Sequence, residues 1–424
     1  MSAAIPAGAG EKMQYIVHEF NDNTIRFVLR YPVLLDADAL RQATVALISS
    51  VDVLHASFEA GRVNACWHVN AVRAGDCFTR IVGAEQPAEE ALRQALQPIA
   101  ADAPAQMRCV LVEGAQECAI AVLISHLCAD GVDSRYLLRK LCEAYGLQAS
   151  AGSCEGLSVK NGSRAVEQLY GRLTAEERRA LKKDPRTGVR SSFTYPTQEP
   201  GEPAVLRREL PSAVMAAAHA RVQTLGATVN DLLLTAGYYA FVEVSGSDPK
   251  APVSLMSMMD LRRHCAGGDS AGLCNLTGSL ATALTGGLHE TFDETLRDVA
   301  AQTRRLKSDP LAGLYGMPLL HAAAKRLPMG LLLAVVGRLY GSMSVGMTNV
   351  GRMKRTELTM NGVAPLQAWF GGPIKRKPGM QISAVSLDQD CALCIWGNAT
   401  PEDQVVLQRL LDRMAEHVTA FAEM

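Results

Sequence analysis

The chain has 424 residues, 48% hydrophobic, 20% charged and 5% aromatic, with 42 basic against 43 acidic side chains. That length and apolar content can support sizeable cores in two or three domains. The net charge of −1 excludes a global field that would draw in nucleic acid or an anionic membrane, and the few aromatics exclude stacking platforms for single strands.

Residues 1–12 (MSAAIPAGAGEK) are small and lack a basic stretch followed by an apolar core, so a flexible tail is expected rather than a signal peptide. Strand patterns follow at 15–20 and 24–35, then a helix at 37–50 with Asp36 as its N-cap. Residues 63–72 and 77–82 are strand-like, and 87–100 reads as a helix with Glu89 and Glu90 in its first turn. Residues 106–112 and 118–125 read as a hairpin around 113–116, and an amphipathic helix follows at 132–145. The small, polar stretch 148–162 is loop-like, and a charged helix is expected at 164–183.

Prolines recur through 184–203, and the boundary between two lobes is placed there: an N-terminal lobe over 13–185, a linker over 186–203 and a C-terminal lobe over 204–424. The second half reads as a strand at 204–210, helices at 212–225 and 229–244 with Thr228 as an N-cap, and strands at 252–260 and 276–283. Helices are expected at 290–307 and across much of 311–340, strands at 344–350, 380–387 and 391–397, and a Pro-initiated helix at 401–423. The apolar run 329–340 contains Arg338 and is too short to span a bilayer, so it reads as a core helix. Strands and helices mixed through both halves give an α/β (α+β) class.

The most informative segment is His126-Leu-Cys-Ala-Asp130-Gly131, between the buried-strand pattern CAIAVLIS and the following helix. A strand end holds a side chain more firmly than a free loop does, which suits a general base. From the residues alone, His126 is either such a base or a satisfied histidine closing a strand, and Asp130-Gly131 is either part of a site or a tight turn. No metal is expected at His126 and Asp130, because no other His, Asp or Glu cluster lies close in sequence. Eleven scattered cysteines, an odd number, argue for reduced thiols and a cytoplasmic location. Cys391 and Cys394 form a C-x-x-C in a strand pattern, where residues three apart face opposite sides, against a shared zinc or redox site.

Three later segments add to the motif. They are Ala227-Thr-Val-Asn-Asp231 opening a helix, Asp260-Leu-Arg262-Arg263 at a strand end, and Thr348-Asn349-Val-Gly351 at another. With H-x-x-x-D-G, their order and spacing resemble the thioester-dependent acyltransferase superfamily that includes nonribosomal-peptide condensation domains. The likeness spans residues 13–423 and is nearest to stand-alone condensation enzymes, polyketide-associated acyltransferases and wax ester synthase-like proteins. Two departures stand out. Ser125 occupies the place where many condensation domains carry a first histidine, and the Trp-containing loop of plant BAHD acyltransferases is absent, Ala368-Trp-Phe-Gly-Gly372 being only an echo of it.

The resemblance implies two chloramphenicol-acetyltransferase-like lobes, each a mixed sheet flanked by helices, around a V-shaped cleft. It implies that His126 is the general base that takes a proton from a hydroxyl or amine acceptor attacking an acyl thioester. Asp130 would be structural, ion-paired with Arg262. Gly131 is expected to use the positive φ open to glycine, let substrate approach the backbone and offer its N–H to the oxyanion. Thr348 and Asn349 would be substrate-binding donors or simple turn residues.

The co-substrate would be acyl-coenzyme A or a carrier-protein phosphopantetheine thioester, with no permanently bound cofactor or metal. The basic clusters 352–355 and 375–377 are candidates for its phosphates. Two other functions stay open: a free-standing condensation enzyme that forms amides from carrier-bound substrates, and an inactive module that docks a carrier protein. A monomer that binds no nucleic acid and has no membrane span is expected.

Overall fold

The computed structural model describes residues 4–182, 188–265, 271–340 and 345–424. The chain opens with β1 (Ala4–Pro6) and α1 (Ala9–Val17). These elements occupy most of the segment expected to be a flexible tail, and α1 replaces the first part of the strand expected at 15–20. The apolar period explains the difference. Met13, Ile16, Val17 and Phe20 recur at three- to four-residue spacing and pack into one core cluster, and Glu11 reaches back to the Gly8 N–H.

Next come β2 (Thr24–Tyr31) and α2 (Ala37–Ser49), whose N-cap Asp36 accepts from the N–H groups of Asp38 and Ala39. Then β3 (Ala56–Ala60), which the sequence pattern did not reveal, pairs with β4 (Ala65–Val69). They are followed by α3 (Ala74–Cys77), β5 (Phe78–Val82), α4 (Pro87–Gln94), β6 (Met107–Glu113), β7 (Cys118–Ser125) and α5 (Gly131–Ala151). The expected helix at 164–183 is instead a 3-10 turn, Val166–Tyr170, and the short α6 (Ala175–Ala180); Lys183 lies outside the described residues.

The second half runs β8 (Glu202–Leu210), α7 (Ser212–Thr224), α8 (Val229–Ser245), β9 (Val253–Asp260), β10 (Thr277–Leu284) and α9 (Phe292–Ser308). It continues with α10 (Met317–Arg326), α11 (Met329–Tyr340), β11 (Val345–Met353), β12 (Gln367–Gly371), β13 (Met380–Leu387), β14 (Asp390–Ala399) and α12 (Pro401–Glu423). Among the described residues no helix is long and apolar enough to cross a membrane.

The strands form three sheets, ordered β1-β4-β3, β12-β2-β7-β6-β5 and β10-β9-β11-β13-β14-β8. In the five-stranded sheet β7 is buried along its whole length, with α4 packed across it and the neighbouring β2 and β6. Strand β12, from the last third of the chain, adds to the edge of β2 with Phe370 opposite Phe27. The inner strands β13 and β14 of the six-stranded sheet are apolar on both faces. Along β14, Ala392, Cys394 and Trp396 enter the first core while Cys391, Leu393 and Ile395 enter the second. Cys391 and Cys394 therefore sit in different cores, as their spacing predicts. Burial raises their thiol pKa values to about 11 and about 12.

Candidate active site

The five-stranded sheet delivers His126 at the C-terminal end of β7. The His126 N–H donates to the Asn23 carbonyl at 2.8 Å, which ties the turn to the start of β2. Its ring Nδ1 lies 2.9 Å from the Ala129 carbonyl oxygen and 3.1 Å from Asn275 Nδ2. A carbonyl oxygen only accepts, so Nδ1 carries the proton and donates to Ala129. The second hydrogen of the Asn275 amide is then left for the His126 carbonyl at 3.5 Å. This tautomer leaves the lone pair on Nε2, the form a general base requires. The side chain is partly exposed. Burial lowers its pKa from the ordinary value of 6.5; Asp130 opposes the shift and the Lys375 charge adds to it.

A chain of amides stands beside the ring. Asn23 Nδ2 donates to the Gln14 carbonyl (2.7 Å), Gln14 Nε2 to Asn23 Oδ1 (2.6 Å), Asn275 Nδ2 to Gln14 Oε1 (3.0 Å), and the Thr277 N–H to Asn275 Oδ1 (3.2 Å). Backbone groups at both ends fix the direction of every link. None of the three amide residues is visible in the sequence as part of a site. They come from α1, the turn before β2 and the loop before β10, and their types are common in turns.

Asp130 and Arg262 meet as the resemblance implies. Asp130 caps α5, accepting from the N–H groups of Val132 (3.1 Å) and Asp133 (3.0 Å), and its other oxygen accepts from Arg262 Nη1 at 2.7 Å and the Leu276 N–H at 2.9 Å. Asp130 and Arg262 are both buried, at 1% and 5% exposure. Arg262 follows β9, so the pair joins the two large sheets. It also contacts Asp133 at 2.8 Å, Asp260 at 3.0 Å and the Cys274 carbonyl at 3.1 Å. Nothing in the sequence marks Asp133 as a partner. Burial raises its pKa, next Asp130 raises it further, and Arg262 and Lys160 oppose the rise. Arg262 is held firmly protonated despite its burial, through its attraction to Asp130 and Asp133.

Gly131 is the first residue of α5, with no positive φ, which corrects the expected left-handed conformation. A Cβ there would meet only Val350 Cγ1, at 3.5 Å, an ordinary contact. Gly131 is partly exposed, and its N–H at the helix start has no partner among the described residues.

Thr348 and Asn349 lie on β11, which bulges between Asn349 and Arg352. The bulge carries Gly351 at φ +77°, and Asn349 Oδ1 accepts from the Gly351 N–H at 2.8 Å. Asn349 Nδ2 points to Asn230 Oδ1 at 3.3 Å, and the Thr348 hydroxyl has no partner among the described residues. Arg135 of α5 clamps the bulge through the Val350 and Arg352 carbonyls, bringing β11 against the start of α5. No hydrogen bond joins Thr348 or Asn349 to His126 among the described residues. Three of the basic residues are already engaged: Lys354 by Glu357, Arg355 by Asp388 and Asp390, and Lys377 by Asp403.

Solved structures share this architecture over nearly the whole chain. The first condensation domain of the CDA synthetase superposes with a TM-score of 0.71 at 16% identity, covering 99% of this chain and 96% of its own. Polyketide synthase associated protein 5 from Mycobacterium tuberculosis gives 0.69 at 15% identity, covering 98% and 100%. The fold is the condensation-domain fold. The trichothecene 15-O-acetyltransferase of Fusarium sporotrichioides shares it, with a TM-score of 0.69 at 12% identity over 99% of this chain and 95% of its own. No protein-family model matches the sequence, and no curated protein matches it.

Proposed function

We propose that the chain is an acyltransferase that moves an acyl group from a coenzyme A or carrier-protein thioester to a hydroxyl or amine. The observation that carries this reading is the tautomer of His126: Nδ1–H is spent on the Ala129 carbonyl at 2.9 Å, so Nε2 is available to take a proton. Burial keeps the imidazole neutral at physiological pH. As the acceptor oxygen or nitrogen bonds to the thioester carbon, its proton passes to Nε2. Negative charge gathers on the former carbonyl oxygen, where the unpaired Gly131 N–H at the start of α5 is the donor on offer. The carbon–sulfur bond then breaks, and the proton on Nε2 goes to the leaving thiolate. No covalent enzyme intermediate is needed. Asp130, Asp133 and Arg262 hold the turn and touch no reacting atom.

The condensation-domain fold supports a thioester donor, and the 15-O-acetyltransferase activity of the trichothecene neighbour supports a small hydroxyl acceptor. The test is incubation with acyl-coenzyme A and, separately, acyl-carrier protein, each with a panel of alcohols and amines, following released thiol and new ester or amide by mass spectrometry. Coenzyme A turnover with alcohols upholds the leading reading. Turnover confined to carrier-bound substrates and amines means amide condensation instead. Tight carrier binding without turnover means a docking module and overturns the acyltransferase reading.

A further inference from the structure

Away from this site, the β3–β4 hairpin carries a second cluster of reactive side chains. Phe58 and Trp67 face each other across the hairpin and turn into the first core, so the alternating residues Glu59, Cys66 and His68 share the outer face. Glu59 is directly opposite Cys66, and His68 is two residues further along β4. Their ligand atoms converge: His68 Nε2 lies 2.6 Å from Glu59 Oε2 and 3.2 Å from Cys66 Sγ, and all three lie within 4.8 Å of one another.

A thiol–imidazole–carboxylate relay needs one partner on each ring nitrogen. Here both partners crowd a single nitrogen, which holds one proton or one lone pair. A cation placed between the three groups satisfies all of them at once. We propose that Glu59, Cys66 and His68 bind one zinc-class divalent ion, with water as the fourth ligand. A thiolate and an imidazole favour zinc over magnesium or calcium, which take oxygen ligands.

Tetrahedral zinc, with Zn–S about 2.3 Å and Zn–N about 2.0 Å, sets its ligand atoms roughly 3.3–3.5 Å apart. The observed spacings open to these values with small side-chain rotations, and the Glu59 and His68 side chains are free enough to make them, at 68% and 39% exposure. Strand β4 is the middle strand of its sheet, held by β1 and β3, so the backbone under the ligands is fixed on both sides. From the sequence alone no metal is expected. Cys66-Trp67-His68 supplies only two ligands in sequence, and the third comes from β3, a strand the sequence pattern did not reveal.

The test is titration of the reduced protein with Co²⁺, followed through the thiolate-to-cobalt charge-transfer band and the visible bands of tetrahedral cobalt, then displacement by Zn²⁺. One equivalent of each is expected, unaffected by excess Mg²⁺. Cys66→Ser abolishes the charge-transfer band. His68→Ala and Glu59→Gln weaken affinity by more than the roughly 10–100-fold that losing an outer-shell partner costs. Cys154→Ser, at the other partly exposed cysteine, leaves the signal intact. Circular dichroism verifies that each variant is folded, and Glu59→Gln, at an exposed position, keeps the test valid if Cys66→Ser does not fold. Absence of the band, its survival in folded Cys66→Ser, or unchanged affinity in Glu59→Gln overturns the proposal.

Discussion

Arg262 Nη1 donates to Asp130 Oδ2 at 2.7 Å, and the same guanidinium reaches Asp133 at 2.8 Å, so one cation bridges two buried carboxylates at the start of α5, while Lys160 supplies a second cation to Asp133. Removing one member leaves this buried network with a charge imbalance that solvent screens poorly. Asp130→Ala, which also loses the α5 cap, is expected to cost about 3–5 kcal/mol. Arg262→Met removes the cation paired with Asp130, leaves Asp133 with Lys160 alone, and is expected to cost a similar amount. Urea unfolding of each variant measures this, and a loss below about 1 kcal/mol, the level of an exposed pair, contradicts it.

His126→Ala should do the opposite: lower acyl transfer by about 10²–10⁴-fold, the range of general base catalysis, with little change in unfolding midpoint. The pH profile carries a sign. The neutral ring is the active form, so rate falls as pH falls through the folded-state pKa. Burial sets that pKa below 6.5, so the acid limb of kcat/KM should inflect below 6.5. An inflection at or above 6.5 removes His126 as the base.

Much of this site is legible in the sequence because its parts are local. His126, Asp130 and Gly131 lie within one turn, Arg262 follows a strand end, and the start of α12 (Pro401–Glu423) is marked by Thr400 as N-cap and Pro401. What escapes the sequence depends on distant partners. Strand β12 is only five residues long and owes its place to the open edge of β2. Helix α1 reads as tail and strand because its apolar period spans the joint between the two segments. Asp133, Asn275, Gln14 and Asn23 acquire their roles only when two helices, a turn and a loop converge, and no spacing rule records such a meeting.

The amide chain beside His126 leads to a further expectation. Asn275 Nδ2 lies 3.1 Å from Nδ1 and donates to Gln14 Oε1 at 3.0 Å, so it packs the ring against the Ala129 carbonyl. Asn275→Ala removes this support without touching the reacting nitrogen. kcat should fall about tenfold, the cost of a misplaced catalytic group being up to roughly 10²-fold, while KM changes little. Asn275→Asp places a carboxylate beside the ring and should move the acid limb of the profile to higher pH, because a nearby anion favours imidazolium. A purely structural Asn275 would leave that limb where it is.

His321 makes stability itself depend on pH. It lies on α10 at 6% exposure, with the Tyr170 hydroxyl 2.7 Å from Nδ1, and burial lowers its pKa from 6.5 to about 4. Above the unfolded value both states are neutral and the group costs nothing. Below it the unfolded chain takes up a proton that the folded chain refuses, so stability is lost as pH falls from about 6.5 towards 4, by about 3 kcal/mol in all. His321→Gln keeps a polar partner for Tyr170 but does not titrate. The wild type should therefore have its full advantage near neutrality and lose about 3 kcal/mol of it by pH 4, read as converging urea midpoints. Parallel curves for the two proteins across that range would mean that His321 titrates normally in the folded state.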